Sequence, residues 1–456
     1  MEIMITTFMK KIQFNRFLFV SLAAFCITVA TTSCRFEEDD YFSESASLRV
    51  EHAIDSVRSV LTQAPNGWVM QYFCGTGVAH FEGFNLFANF DKNGKVTMAS
   101  NHRLLRNGNA GKYTEAVSLY SLLLEDGPVL AFNTWSDVLT PFVDPVNPWA
   151  APSNLMKDGE GMQGDHNFVI IRHNHDEVIL RGERHDAEVR LVKCPTTWQE
   201  YIADTDKLKS YITNTSIASY YVTTDTDTLY FTGLRNGRFR YSENLTNPVK
   251  LDSLSCVFTP KGFRTERQDS IGTRVFHEFT LSADSTCLVN EDGTVKVMAT
   301  WDNYIINHTA VWNMDPSLFS SEQQSLFDQL NAELKVYNAN CSLASIGLGK
   351  SSGSAAVMGL VFTFYTNAAK TKTNSMGLAL TLNKLAYGQI EVISTKDDAV
   401  DRNMTSINTR AGNIISLAHA FGATLNGVYD VTPNSYFVPT GALFNAVGSG
   451  NSFKLN

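Results

Sequence analysis

The chain has 456 residues and a formal net charge of -9, with 44% of its residues hydrophobic and 18% charged. A chain of this length and apolar content can bury the cores of two or three domains, which excludes a disordered protein. Because nucleic acids bind through basic surfaces, the acidic excess predicts no nucleic-acid partner.

Residues 1–33 are predicted to be a signal peptide. Basic residues precede an apolar run over 17–30, which is too short to span ~30 Å of hydrocarbon and is typical of a secretory leader. Cys34 follows small polar residues, a pattern that resembles the lipobox of bacterial lipoproteins, although Thr31 stands where that pattern has leucine. The resemblance implies cleavage before Cys34 and acylation of its thiol, so that outer-membrane lipid holds the chain. An ordinary leader with a coincidental cysteine is the alternative.

Residues 34–45 are predicted to be a tether, with acidic residues over 37–40. Acidic residues at this place resemble the export signal of Bacteroidota surface lipoproteins, which implies that the protein faces the cell exterior. The five cysteines beyond the tether are widely spaced and form no CxxC pair, which argues against a disulfide framework and a structural zinc site. A pairing of Cys256 with Cys287 stays open.

The first folded unit is predicted to be a helix followed by antiparallel strands. Apolar residues recur at helical spacing from Val50 to Leu61, and the helix starts near Ser47. A strand over 68–73 and a hairpin over 80–100 follow. Further apolar runs, separated by tight turns, extend the strands to about Lys193.

Two further units follow the same plan. The predicted fold class is α+β, mainly antiparallel β, with helix-led β-meander or barrel-like units, and the predicted domains are 46–195, 196–316 and 317–456. The segments behind this prediction are helices over 198–212, 323–336 and 406–419, a β run after the first of these helices, and strands near 343–348, 355–365, 377–382 and 388–394.

Several motifs occur in a fixed order along the first two units. They are Ala64-Pro65-Asn66-Gly67-Trp68, residues 84–87 with 90–98, residues 164–168 with 178–184, and residues 258–263. Together they resemble an uncharacterised Bacteroidota surface lipoprotein family, a domain of unknown function, over residues 47–301. The resemblance implies an accessory binding subunit that accompanies SusC/SusD-like nutrient importers, and it supplies no catalytic residues.

The segment 141–152 combines four prolines with Phe142 and Trp149 and is the main candidate for ligand binding. A stiff proline frame lowers the entropy cost of holding an aromatic ring ready for a ligand. Trp149 and Phe142, together with Trp135, are therefore predicted to stack on a sugar or flank a peptide. The alternative is that Trp149 packs back onto the sheet as a core residue.

His173 and His175 lie in the part of the chain richest in possible metal ligands. On one strand the two imidazoles would project from the same face and could chelate Zn²⁺, Ni²⁺ or Cu²⁺ with a third ligand. The alternative is a solvated hairpin turn. No cofactor is otherwise predicted.

The predicted function is that of an outer-membrane surface lipoprotein which captures glycan or peptide for a SusC/SusD-like uptake system, without catalysis. No catalytic residue is predicted. A lipid tether raises the effective concentration near the importer, so that modest affinity suffices. Two alternatives stay open: a structural or adhesive surface protein, and a hydrolase whose site a single sequence does not reveal.

Overall fold

The computed structural model describes residues 46–74, 81–125, 127–145, 161–214, 217, 219–242, 252–448 and 452–456. The chain divides into two compact units, Met1–Ser56 and Val57–Asn456. The first unit is described only from Ala46, where helix α1 (Ala46–Leu61) begins. Three successive β regions make up the second unit, and they confirm the predicted α+β fold with mainly antiparallel strands.

The first β region is a closed barrel of eight antiparallel strands. Strand β8 returns to β1 with Lys193 opposite Trp68, and this closure leaves no free strand edge. Its elements are β1 (Trp68–Phe73), β2 (Phe84–Phe90), β3 (Lys95–Ser100), β4 (Thr114–Leu124), β5 (Pro128–Phe132), the short helix α2 (Thr140–Val143), β6 (Asn167–His173), β7 (Glu177–Gly182) and β8 (Glu188–Lys193).

Alternate residues of β1 face opposite sides of the barrel wall. Trp68 and Tyr72 lie in the barrel core, whereas Val69 belongs to a second apolar cluster on the outer side. Trp68 also donates its indole N–H to the carbonyl oxygen of Leu61 at 2.9 Å. The end of α1 is thereby fixed to the first strand.

Helix α3 (Trp198–Ile212) leads from the first barrel into the second and contacts both. A capping box closes its first turn, which satisfies backbone N–H groups that have no partner inside the helix. Trp198 and Tyr201 pack on Phe87 of the outer barrel wall, with ring centroids 5.8 and 5.6 Å from it. The helix that leads into the second barrel therefore also covers the first barrel.

The second β region is another closed barrel of eight antiparallel strands, with β16 paired to β9. Phenylalanine rings fill its core: Phe239 lies 4.0 Å from Phe231 and 5.7 Å from Phe279 between ring centroids. Its elements are β9 (Ser219–Thr223), β10 (Thr228–Thr232), β11 (Arg238–Ser242), β12 (Asp252–Thr259), β13 (Gly262–Ile271), β14 (Arg274–Leu281), β15 (Leu288–Asn290), β16 (Lys296–Ala299) and the following helix α4 (Trp301–Asn307).

The third β region combines a four-stranded and a five-stranded sheet. Asn313 and Asn456 exchange backbone hydrogen bonds of 2.9 Å, which join the two sheets. Its elements are β17 (Trp312–Asn313), α5 (Ser321–Tyr337), β18 (Ser342–Lys350), β19 (Met358–Tyr365), β20 (Thr373–Ala379), β21 (Thr381–Ala386), β22 (Gln389–Ile393), α6 (Arg402–Ala411), α7 (Ile414–Ala423), β23 (Gly427–Pro433), β24 (Ala442–Ala446) and β25 (Ser452–Leu455).

A buried ion pair connects the second barrel with the third region. Asp302 of α4 is fully buried, and Nζ of Lys384 in β21 lies 3.2 Å from its Oδ2. The hydroxyl of Tyr221 in β9 donates to Oδ1 of Asp302 at 3.3 Å and also contacts Lys384. Burial raises the pKa of Asp302 to about 6 and lowers the pKa of Lys384. Because removal of one partner leaves the other charge buried alone, the junction depends on both.

Some local predictions are wrong in the third region. The helix predicted over 406–419 is two helices, because Gly412 adopts a φ of +94° and ends α6. The strand predicted over 377–382 is divided at Leu380 between the two sheets. The five cysteines in the described part of the chain are buried free thiols, so Cys256 and Cys287 do not pair.

Candidate functional site

Long connections gather at one end of the first barrel, which we call the loop end (described residues 81–83, 101–113, 133–145 and 161–166). Helix α2 closes this end from inside. The ring of Phe142 is fully buried and packs edge-on against Tyr72 at 5.2 Å and Phe84 at 4.8 Å between centroids. Phe142, a candidate ligand contact by sequence, therefore fills the core and presents no surface to a ligand.

Asp165 anchors the loop end to the barrel. Its buried carboxylate accepts backbone N–H bonds from Arg184 and His185 at 3.1 Å and from Ala187 at 3.3 Å. Gly182 leaves room for this carboxylate, since a Cβ there would lie 1.9 Å from its Oδ2. Asp165, Gly182 and Arg184 belong to the motifs on which the family resemblance rests, so these motifs specify loop structure rather than binding chemistry.

A cavity of about 310 Å³ lies where the loop end meets α3 and the second barrel; we call it the inter-barrel cavity. Backbone and amide contacts fix its walls: Gly83 N–H donates to Cys256 O at 2.9 Å, and Asn85 Nδ2 donates to Phe258 O at 2.8 Å. The polar side chains that line it include Glu82, Asn85, Asn101, Arg103, Asp206 and Lys209.

The charges in the inter-barrel cavity cancel. The Glu82 carboxylate lies 3.1 Å from Nε of Arg103 and 3.8 Å from Nζ of Lys209. Asp206 supplies a second carboxylate, which accepts from Asn101 Nδ2 at 3.5 Å and whose pKa is raised by burial. Two carboxylates and two cations therefore face one space, and no net charge remains there to attract an ionic ligand.

Two other polar residues of the cavity wall differ in what they can offer a ligand. Asn85 donates to Phe258, but its Oδ1 is buried and has no hydrogen-bond partner among the described residues. A hydroxyl group that reached this oxygen would satisfy an acceptor that is costly to leave unpaired. His102 is occupied internally, because Nε2 bonds Val138 O at 2.8 Å and Nδ1 accepts from Leu104 N–H at 3.2 Å. Burial lowers the pKa of His102 to about 4, so the ring is neutral at pH 7.

Trp135 lies at the surface of the loop end, just after β5, with 53% of the residue exposed. Its indole N–H donates to Oδ1 of Asp137 at 2.8 Å. The guanidinium of Arg106 lies over the ring, 5.0 Å from its centroid. Of the other residues singled out in the sequence, Trp149 and Cys34 lie outside the described residues.

The model of the domain of unknown function DUF4302 matches residues 38–283, more than half of the chain. The chain belongs to the DUF4302 family. This confirms the resemblance to a domain of unknown function that the motifs indicated. The DUF4302 match includes the inter-barrel cavity and Trp135, whereas the third region lies beyond it.

A solved structure that resembles part of this DUF4302 chain is that of an uncharacterized protein from Bacteroides eggerthii DSM 20697. The two share 16% identity over 28% of this chain and 96% of that chain, with a TM-score of 0.16. A likeness of this degree carries no argument about function. The chain matches no curated protein. Among the residues with a described structure, no helix is both long and apolar enough to cross a bilayer.

His173 and His175 of the DUF4302 chain do not share a strand. His173 ends β6, whereas His175 lies in the following turn. Nδ1 of His175 lies 2.7 Å from Oδ1 of Asp176, and Nε2 lies 2.9 Å from Nζ of Lys193. The neighbouring ammonium competes for the lone pair that a metal would use. Within the described ranges, no three His, Cys, Asp or Glu side chains are grouped so as to hold a metal.

The inter-barrel cavity was not predicted from the sequence, because its walls come from the loop end, α3 and β12. Only one local signal points to it. Asp206 and Lys209 are three residues apart on α3 and therefore lie on the same side of that helix. Their partners lie far away in the chain, because Lys209 pairs with Glu82 and Asp206 accepts from Asn101.

Proposed function

We propose that this DUF4302 protein is an outer-membrane surface lipoprotein that binds a neutral oligosaccharide in the inter-barrel cavity. In this proposal the protein is an accessory binding subunit of a SusC/SusD-like uptake system and performs no catalysis. The observation that carries the ligand class is a polar cavity whose two carboxylates and two cations cancel.

Hydroxyl groups suit the hydrogen-bonding groups of this cavity. The carboxylate of Asp206 is an acceptor for ligand hydroxyls, as is Oδ1 of Asn85, which has no hydrogen-bond partner in the described part of the chain. The ammonium of Lys209 is a donor to them. The ring of Phe258 lies in the same wall, 4.7 Å from Nζ of Lys209. Sugars combine hydrogen-bond donors, acceptors and an apolar ring face. A peptide also carries charged termini, and the charged side chains of this cavity already neutralise one another, so they leave no counter-charge for those termini.

The membrane part of the proposal rests on the sequence. Cys34 after the apolar leader is the acylation point, and the family resemblance supplies the importer. Lipid on Cys34 keeps the cavity close to the outer membrane, which raises the local ligand concentration at a transporter.

Calorimetric titration of the protein from Cys34 to Asn456 tests the ligand class. The probes are neutral hexaoses of glucose, xylose and mannose, an oligogalacturonate and a tryptic peptide mixture. We expect a neutral hexaose to bind and Asp206→Asn to weaken it about tenfold or more, since a hydrogen bond to a charged group is lost. Asp204→Asn, the same change two residues away on α3, is the control and should bind as the wild type does.

Three results would contradict the proposed ligand class. They are binding of none of the neutral hexaoses, preference for the oligogalacturonate or the peptides, and equal binding by Asp206→Asn and Asp204→Asn. In cells, fatty-acid labelling should be lost in Cys34→Ala, and purification from solubilised outer membranes should bring a SusC/SusD-like pair. An unacylated mature terminus would exclude the lipoprotein proposal, and a chain that purifies alone would exclude the importer role.

A further inference from the structure

Trp135 at the loop end is held rigidly although it is half-exposed. Its indole N–H is bonded to Asp137, two residues later in the same connection, at 2.8 Å. One face of the ring lies against the guanidinium of Arg106, which comes from the connection between β3 and β4 and pairs with Asp144. The indole is therefore fixed from two connections at once.

A fixed, exposed indole is suited to stacking. Because its rotation is already restricted by Asp137 and Arg106, a ligand that covers the remaining surface has little side-chain entropy to remove. An indole offers a broad apolar face, and the carboxylate of Asp137 lies at its polar edge. The complementary ligand has one apolar face and polar groups around its rim.

The position of Arg106 favours a neutral ring over a cation as the ligand of Trp135. A cation binds an aromatic face through the negative charge of the ring face. In Trp135 a guanidinium already occupies one ring face and uses this attraction, which leaves less of it for a second cation on the other face. The stacking of a neutral sugar ring depends mainly on apolar contact and is opposed much less.

We propose that Trp135 and Asp137 form a second carbohydrate subsite, in which a pyranose ring stacks on the indole and an equatorial hydroxyl donates to the Asp137 carboxylate. The proposal takes its ligand class from the proposed function, but its residues are separate from the inter-barrel cavity. Both sites include the connection between β3 and β4, in which Arg103 lines the cavity and Arg106 supports Trp135.

Fluorine NMR of the protein labelled with 5-fluorotryptophan tests this subsite. The signal of Trp135 is assigned by its loss in Trp135→Phe. Methyl β-glucopyranoside and methyl β-galactopyranoside are the carbohydrate probes, and tetramethylammonium is the cationic probe. We expect the Trp135 signal to shift saturably with at least one glycoside and not with the cation.

Two variants separate this proposal from simpler explanations. Leu124, the last residue of β4, is 53% exposed, as Trp135 is, but lies at the end of the barrel opposite the loop end. Leu124→Ala should therefore leave the Trp135 response unchanged. Asp206→Asn should also leave it unchanged, so failure of the cavity proposal and failure of the subsite can be distinguished. The subsite is refuted if neither glycoside shifts the Trp135 signal, if tetramethylammonium shifts it as strongly, or if Leu124→Ala abolishes the response.

Discussion

Substitution of Gly182 by alanine is expected to detach the loop end from the first barrel. A Cβ at this residue would lie 1.9 Å from Oδ2 of Asp165 and 2.8 Å from the backbone nitrogen of Ala187. Non-bonded heavy atoms pack at about 3.5 Å, so the carboxylate would have to move by roughly 1.5 Å. Because the second contact is with backbone, a rotation of the Asp165 side chain alone does not relieve the clash.

The energetic cost follows from the hydrogen bonds that this movement breaks. The Asp165 carboxylate accepts from the backbone N–H groups of Arg184, His185 and Ala187. Each hydrogen bond to a charged group contributes roughly 1.5–3 kcal/mol, and water replaces part of this at the partly exposed residues 184 and 185. We expect Gly182→Ala to lower the free energy of unfolding of the first barrel by about 3–4 kcal/mol.

Gly127→Ala is the matched control in the same barrel. None of the described atoms lies within 4 Å of a Cβ at residue 127, so we expect no loss and a gain of about 0.5 kcal/mol from the restricted unfolded chain. Urea unfolding gives the midpoints, and hydrogen exchange of the amides of residues 184, 185 and 187 reports the local effect. The reasoning is refuted if Gly182→Ala and Gly127→Ala unfold at the same urea concentration or if those amides keep their protection.

Three further outcomes test buried groups. Burial raises the pKa of Asp302 from 3.8 to about 6, so the folded protein holds a proton there that the unfolded chain releases between these pH values. The free energy of unfolding of the wild type should therefore fall by about 1.4 kcal/mol per pH unit, relative to Asp302→Asn, as pH rises from 3.8 to 6. A difference between the two proteins that does not change with pH would refute this prediction. The pH dependence has the opposite sign for His102, because burial lowers its pKa from 6.5 to about 4. The free energy of unfolding of the wild type should fall relative to that of His102→Gln as pH falls through this range. Urea unfolding midpoints that change in parallel with pH in the two proteins would contradict this prediction. The five described cysteines should react with a thiol reagent only after denaturant is added, and rapid labelling of the native protein would disprove their burial.

Local sequence signals defined the individual elements well. Strand β1 (Trp68–Phe73) and helix α3 (Trp198–Ile212) have the predicted bounds, because a proline-containing turn and a capping box mark where each begins. Barrel closure has no such local signal. The pairing of Trp68 with Lys193 joins residues that are far apart in the chain, and neither residue type indicates it.

The candidate site was only partly predictable for the same reason. Phe142 was expected at the surface because prolines surround it, yet Pro141 lies in the first turn of α2, where proline is compatible with a helix, and the ring turns inward onto Tyr72 and Phe84. Trp135 does lie at the surface, and its role in binding stays a prediction. The inter-barrel cavity depends on the packing of two barrels, which no single segment encodes.

Because α3 covers part of the first barrel, its position determines where this polypeptide can be truncated and when the first barrel becomes fully covered. Val69, Phe87 and Ala99 on the outside of the first barrel are covered by Tyr201 and its neighbours. A fragment that stops at residue 195 would expose this apolar surface to water and aggregate, whereas a fragment that continues past Ile212 keeps the surface buried. During synthesis, this surface of the first barrel stays uncovered until the residues of α3 have been added to the chain.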